Sequence, residues 1–120
     1  MAGEELESQG ISPEVRRCVE ATSACYTACT ETLTYSLDVG ADLSEPQHLQ
    51  LLIDCCEVCQ TTQDVLLRAS GLGIMLAAIF VEACEQVAES CRRIDESDEQ
   101  LAACAESCDE TAESCHALAI

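Results

Sequence analysis

Cysteine is the residue in this chain that could do chemistry, and its spacing is patterned. Near the start the chain reads C-x6-C-x3-C at Cys18, Cys25 and Cys29; near the end it reads C-x3-C-x6-C at Cys104, Cys108 and Cys115. At ~100° per residue, steps of seven and eleven return to within roughly 20° of the start, so each trio shares one helix face. A strand would put Cys18 and Cys25 on opposite faces. The spacings are mirror images, as two antiparallel helices require if their thiols are to meet at matching heights: Cys18 with Cys115, Cys25 with Cys108, Cys29 with Cys104. Between them, Cys55 and Cys59 share a face with His48, Cys56 flanks that face by ~100°, and Cys84 and Cys91 share another.

Thiolate is a soft ligand and selects Cu(I), zinc or iron–sulfur clusters. Zinc favours a discrete tetrahedron, often on C-x2-C loops, and iron–sulfur clusters use loop-borne runs of closely spaced cysteines. Only Cys56 and Cys59 have the C-x2-C spacing here, inside an expected helix. Cu(I) accepts two or three thiolates and tolerates bridging sulfur, and cysteines at i and i+4 lie ~6 Å apart, close enough to share one ion. Each +1 ion offsets one thiolate charge, so a buried column of cysteines can fill without accumulating charge. A zinc-binding or structural metal bundle, and a reservoir of redox-active thiols, are the alternatives. The plainest reading, that thiols are small buried hydrophobes, does not account for ten of them on inward faces.

The elements that must carry these faces are four helices. Ser12 is an N-cap with Pro13 and Glu14 in the first turn, and Gly40 ends the helix after Val39. Ser44 and Pro46 start a second helix, to about Ala69. A third runs from Gly73 to near Asp95 with Arg92 and Arg93 in its last turn. Ser97 and Gln100 form a capping box for a fourth, Asp98 to about Ala119. Short connections make this an all-α, antiparallel up-down-up-down four-helix bundle over 12–120, with a flexible tail at 1–11. At ~1.5 Å per residue, Cys25, Cys59, Cys84 and Cys108 fall at one level, Cys29, Cys55 and Cys104 at the next, with Cys18 and Cys115 below and Cys91 above.

Composition limits the rest. The 120 residues suit one domain, and the net charge is −18 with five arginines and no lysine. That surface repels nucleic acid and anionic membranes. The acidic, polar start has neither a basic nor an apolar signal region, so a cytoplasmic location is expected, where reducing conditions disfavour disulfides. The apolar run from Leu72 to Val81 is far shorter than the ~20 residues that cross a bilayer. Because Ile74 to Val81 is apolar all round, it is expected to be covered on more than one side, by further copies of the chain. No enzyme is indicated: neither histidine has an evident serine or acid partner, and there is no phosphate-binding glycine loop.

The pairs Cys25/Cys29, Cys55/Cys59 and Cys104/Cys108 on three helices, extended by Cys18, Cys84, Cys91 and Cys115, resemble the copper storage proteins, a family of cysteine-rich four-helix bundles. The resemblance covers the chain from about residue 13, and the missing leader is similar to the cytosolic type. It implies several Cu(I) ions in the bundle core, tetramerisation, and copper storage or detoxification. Expected partners are copper ions, a copper donor or chaperone, and other copies of the chain. The expected ligands are Cys18, Cys25, Cys29, Cys55, Cys56, Cys59, Cys84, Cys91, Cys104, Cys108 and Cys115, joined by the two histidines. His48, on the inward face seven residues before Cys55, is expected to form a mouth with Cys91. His116, on the flank beside Cys115, marks the competing mouth. Met75 is expected to point away.

Overall fold

The structure, a computed structural model, describes residues 11–118. Four helices run α1 (Pro13–Val39), α2 (Pro46–Leu67), α3 (Gly73–Ile94) and α4 (Glu99–His116), with a 3₁₀ turn at Ala41–Ser44. There is no strand among the described residues. Each helix packs on two others, α1 and α3 both against α2 and α4. This is the expected up-down-up-down bundle. Of the expected tail at 1–11, residues 1–10 lie outside the described residues, as does Ala119, the expected end of the last helix. No helix among those described is long and apolar enough to cross a membrane.

Local chemistry sets the helix ends. Ser12 accepts a hydrogen bond from the Val15 N–H at 3.1 Å and caps α1 as expected, with Pro13 next. Gly40 closes α1 at φ +75°, ψ −149°, a conformation that side chains resist, and its N–H donates to the Ser36 carbonyl. Two expected caps are corrected. Ser44 does not cap α2; it ends the 3₁₀ turn and donates to the Ser36 carbonyl at 2.8 Å, leaving Glu45 as N-cap. Nor do Ser97 and Gln100 form a capping box. Asp98 caps α4 by accepting from the Leu101 N–H at 2.9 Å, a carboxylate being at least as good a cap as a hydroxyl. Ser97 instead donates to Asp95, and Gln100 reaches across to Thr32 Oγ1 at 3.0 Å. The Tyr35 hydroxyl donates to Asp98 at 2.6 Å, which ties α1 to this cap.

The core is arranged in layers along the bundle axis. Lowest are Cys18 and Cys115, joined as a disulfide between α1 and α4. This corrects the expectation against disulfides. The mirrored spacing brings the two Cα atoms to 5.0 Å, inside the range a disulfide bridges, and the other nine cysteines remain free. One turn further in, buried Thr22, Thr62 and Thr111 form a hydroxyl layer with Phe80. Thr22 and Thr111 bond to backbone carbonyls, whereas the Thr62 hydroxyl is buried without a partner. The thiols come next, flanked by Leu52, Val87 and Leu101. Uppermost is His48, fully buried, with Nδ1 2.8 Å from the Ser90 Oγ and Nε2 3.5 Å from the Ser36 Oγ. The sequence suggests no serine partner for His48; the fold supplies two.

Two outcomes follow from these end layers. The Cys18–Cys115 bond closes a loop with a sequence separation of 97. In unreduced protein, Cys115→Ser should therefore lower the unfolding free energy by about 2–4 kcal/mol, and the gap should close under reductant. Equal denaturation midpoints without reductant would contradict it. Desolvation holds His48 below the ordinary histidine value, so as pH falls the unfolded chain takes up this proton before the fold does, from ~6.5 downward. That contribution is present above ~6.5 and is lost as pH falls, so wild type should lose stability relative to His48→Gln between about pH 7 and 5. Denaturant titrations showing a pH-independent difference would contradict it.

Candidate metal centre

All four helices deliver sulfur to one place. Cys25 Sγ on α1 lies 3.8 Å from Cys84 Sγ on α3, 3.9 Å from Cys108 Sγ on α4 and 4.0 Å from Cys55 Sγ on α2. Within α1, Cys29 is 3.9 Å from Cys25, as the i, i+4 spacing dictates, and it is also 3.9 Å from Cys108. Two overlapping trios, Cys25/Cys29/Cys108 and Cys25/Cys55/Cys59, each have all their sulfur atoms within 4.8 Å of one another. The sequence placed Cys59 level with Cys25 and Cys55 one level higher. The structure has Cys25 reaching across both turns of α2, with Cys55 in direct sulfur contact.

Burial is complete where the faces demanded it. Cys25, Cys29, Cys55, Cys84, Cys104 and Cys108 are 0% exposed, and Cys59 and Cys91 are 1% exposed. Cys56 is half-buried on the flank, its sulfur 3.5 Å from the Thr30 hydroxyl. His116 is exposed beside Cys115, and Met75 points outward at 63% exposure. Thus eight thiols are brought together, Cys56 lies beside them, and the disulfide and His48 lie below and above. The Ser36 and Ser90 partners of His48 had no usable signal. Ser36 reads as one more hydroxyl on the α1 face, and Ser90 as the neighbour of Cys91.

Crowding sets the protonation of the cluster. Cys25 is pushed well below the ordinary thiol value, chiefly by its contact with the Cys108 thiol and then by Cys29, Cys55 and Cys59. Cys104 and Cys55 are lowered too, each first by Cys108. Other neighbours move the other way. Cys108 is raised chiefly by Cys104, Cys59 by Cys25, and Cys91 by Cys104, with burial adding in each case. Thiols in contact stabilise a thiolate among them, and each ionisation raises the cost of the next in a dry interior. Such a cluster accepts more thiolate only with compensating positive charge, and sulfur favours soft cations. Cysteines 3.8–4.0 Å apart in a continuous group also suit shared, bridging sulfur better than an isolated tetrahedron.

The comparisons with known proteins agree. The profile of the copper storage protein family, Csp, matches residues 11–120. No curated protein matches the sequence. Among solved structures, the Nmul_A1745 protein of Nitrosospira multiformis is 28% identical, with a TM-score of 0.80 over 88% of this chain and 94% of its own. A cytosolic copper storage protein from Streptomyces lividans, caught during copper loading with five coppers, is 26% identical, with a TM-score of 0.76 over 88% of this chain and 92% of its own. Cu(I)-bound BsCsp3, at 23% identity, shares the fold, with a TM-score of 0.82 over 89% of this chain and 99% of its own. With four helices closing on a column of buried thiols, and the family profile covering nearly its whole length, the chain belongs to the copper storage protein family.

Proposed function

We propose that this chain stores Cu(I), holding several ions per bundle on the cysteine sulfurs of its core. The observation that carries this reading is the meeting of sulfur from four helices around Cys25 at 3.8–4.0 Å. The ligands are Cys25, Cys29, Cys55, Cys59, Cys84, Cys91, Cys104 and Cys108, with Cys56 available at the flank. Cys18 and Cys115 join them once reduced. His48 can ligate only by giving up a serine bond, and His116 offers an exposed nitrogen beyond the disulfide. The role is storage or detoxification, not catalysis. The relative from Streptomyces lividans is described as cytosolic, which supports a cytoplasmic site of action with a copper donor or chaperone upstream.

The bundle is further read as one subunit of a homo-oligomer, a tetramer on the family resemblance. Supporting this, Leu72, Ile74, Met75 and Ile79 of the all-apolar segment are each more than half exposed on the isolated chain. Sedimentation should show an assembly that Ile79→Glu weakens, since burying an unpaired carboxylate in an interface is unfavourable. A monomeric wild type would contradict it.

Copper binding is tested by anaerobic titration against a competing Cu(I) chelator. Many tight equivalents per chain are expected, each thiolate engaged releasing close to one proton, so apparent affinity should rise with pH. One or two zinc ions bound in preference to Cu(I) would favour a structural zinc bundle. Disulfide cycling without metal would favour a thiol reservoir.

A further inference from the structure

Sulfur along the bundle axis is interrupted at one level. Cys18 and Cys115 are fully buried and bonded to each other, their Cα atoms 5.0 Å apart across α1 and α4. The next thiols on the same two helices, Cys25 and Cys108, lie ~10.5 Å of helix rise further in, against ~6 Å for helix neighbours that can share an ion. Between the two levels stand buried Thr22, Thr62, Thr111 and Phe80. Hydroxyl oxygen is a hard donor and a poor one for Cu(I). The Thr22 and Thr111 hydroxyls are in any case committed to the Val19 and Ser107 carbonyls. Outward of the pair the chain soon ends its helices: Val15 and Leu118, three residues beyond Cys18 and Cys115, are half-buried against the core.

Building on the storage reading, we propose that Cys18 and Cys115 form a separate, redox-gated site for one Cu(I) ion. The closed disulfide excludes the ion, and the reduced pair holds it between two sulfurs, out of reach of the main cluster. Thiolate is the metal ligand, and two sulfurs bonded to each other present none. A dithiol reductant supplies the two electrons. Its first thiolate attacks one sulfur of the bond, and its second then closes on the mixed disulfide. The reductant leaves as a cyclic disulfide, and its two protons end on Cys18 and Cys115. Cu(I) next bonds to both sulfurs, and those protons leave to water. Oxidation by a low-molecular-weight disulfide reverses the step: the Cys18–Cys115 bond reforms, while Cu(I) and two small thiolates depart. Copper keeps its oxidation state throughout. Access needs only the outermost turns of α1 and α4, where helix ends fray most easily. Thiol–disulfide exchange passes only between sulfurs that meet, so the threonine layer also keeps the bond from migrating to Cys25 or Cys108. The other nine cysteines therefore stay free for copper whichever state the pair is in.

The test is Cu(I) capacity at saturation, measured anaerobically against a competing chelator on two forms of the wild type. One is unreduced; the other is reduced by a dithiol that is then removed. Peptide mapping by mass spectrometry reports the state of the pair in each. The reduced form should bind one more Cu(I) per chain than the form bonded at Cys18–Cys115. A low-molecular-weight disulfide should return that ion to the chelator as the bond reforms. The double variant Cys18→Ser/Cys115→Ser should lose the reductant-dependent ion; should it fail to fold by circular dichroism, the two wild-type forms still decide. Equal, non-zero capacities, or unreduced protein without the Cys18–Cys115 bond, would overturn the gate while leaving storage intact. So would a folded double variant whose capacity still rises on reduction. A gain of two or more ions would overturn the separateness of the site. Absence of Cu(I) binding in both forms would overturn the storage reading and the gate together.

Discussion

Sulfur crowded upon sulfur at 3.8–4.0 Å, in a dry interior shared by four helices, is the constraint from which the rest of this structure follows. Cysteine is a small apolar residue while protonated, and a core can be packed with it. Ionised, it becomes a buried charge, and each further ionisation beside it costs more. Filling the core therefore means balancing thiolate charge with monovalent cations. The remainder of the core serves the registration this requires. A shift of one residue on any helix moves its sulfur by ~1.5 Å and turns it by ~100°, out of contact.

Registration is held mainly at the ends, because only a few large apolar side chains lie beside the sulfur to fix it. Below the thiols are the disulfide and the threonine layer. Above them are the His48 layer, the Tyr35–Asp98 bond and the Gln100–Thr32 bond. Arg93 reaches Glu45 at 2.8 Å and joins the end of α3 to the cap of α2, though half-exposed pairs of this kind contribute little to stability. Phe80, Leu52 and Leu101 supply most of the large apolar side chains next to the sulfur.

Much of the candidate site was legible because a helix converts spacing into direction. The mirrored trios foretold the level pairing of Cys18 with Cys115 and of Cys25 with Cys108. The same rule put Cys56 on the flank and Met75 outward. What failed depended on things spacing does not encode. Glu45 displaces Ser44 as the cap of α2, and Asp98 displaces Ser97 as the cap of α4, through the geometry of the preceding turns. Ser90 becomes a partner of His48 only when α2 and α3 are packed together. The disulfide was argued away from the expected compartment, although the matching heights already placed its two sulfurs opposite each other. The contact of Cys25 with Cys55 depends on how α1 and α2 lie against each other, which a one-dimensional count of rises cannot give.

The central claim is that the buried sulfurs are the metal ligands and share ions between them. X-ray absorption at the copper edge of the Cu(I)-loaded protein addresses it most directly. Each copper should show a first shell of two or three sulfur atoms, with a second shell of neighbouring copper that grows as loading proceeds. A first shell dominated by nitrogen or oxygen at any loading would contradict it.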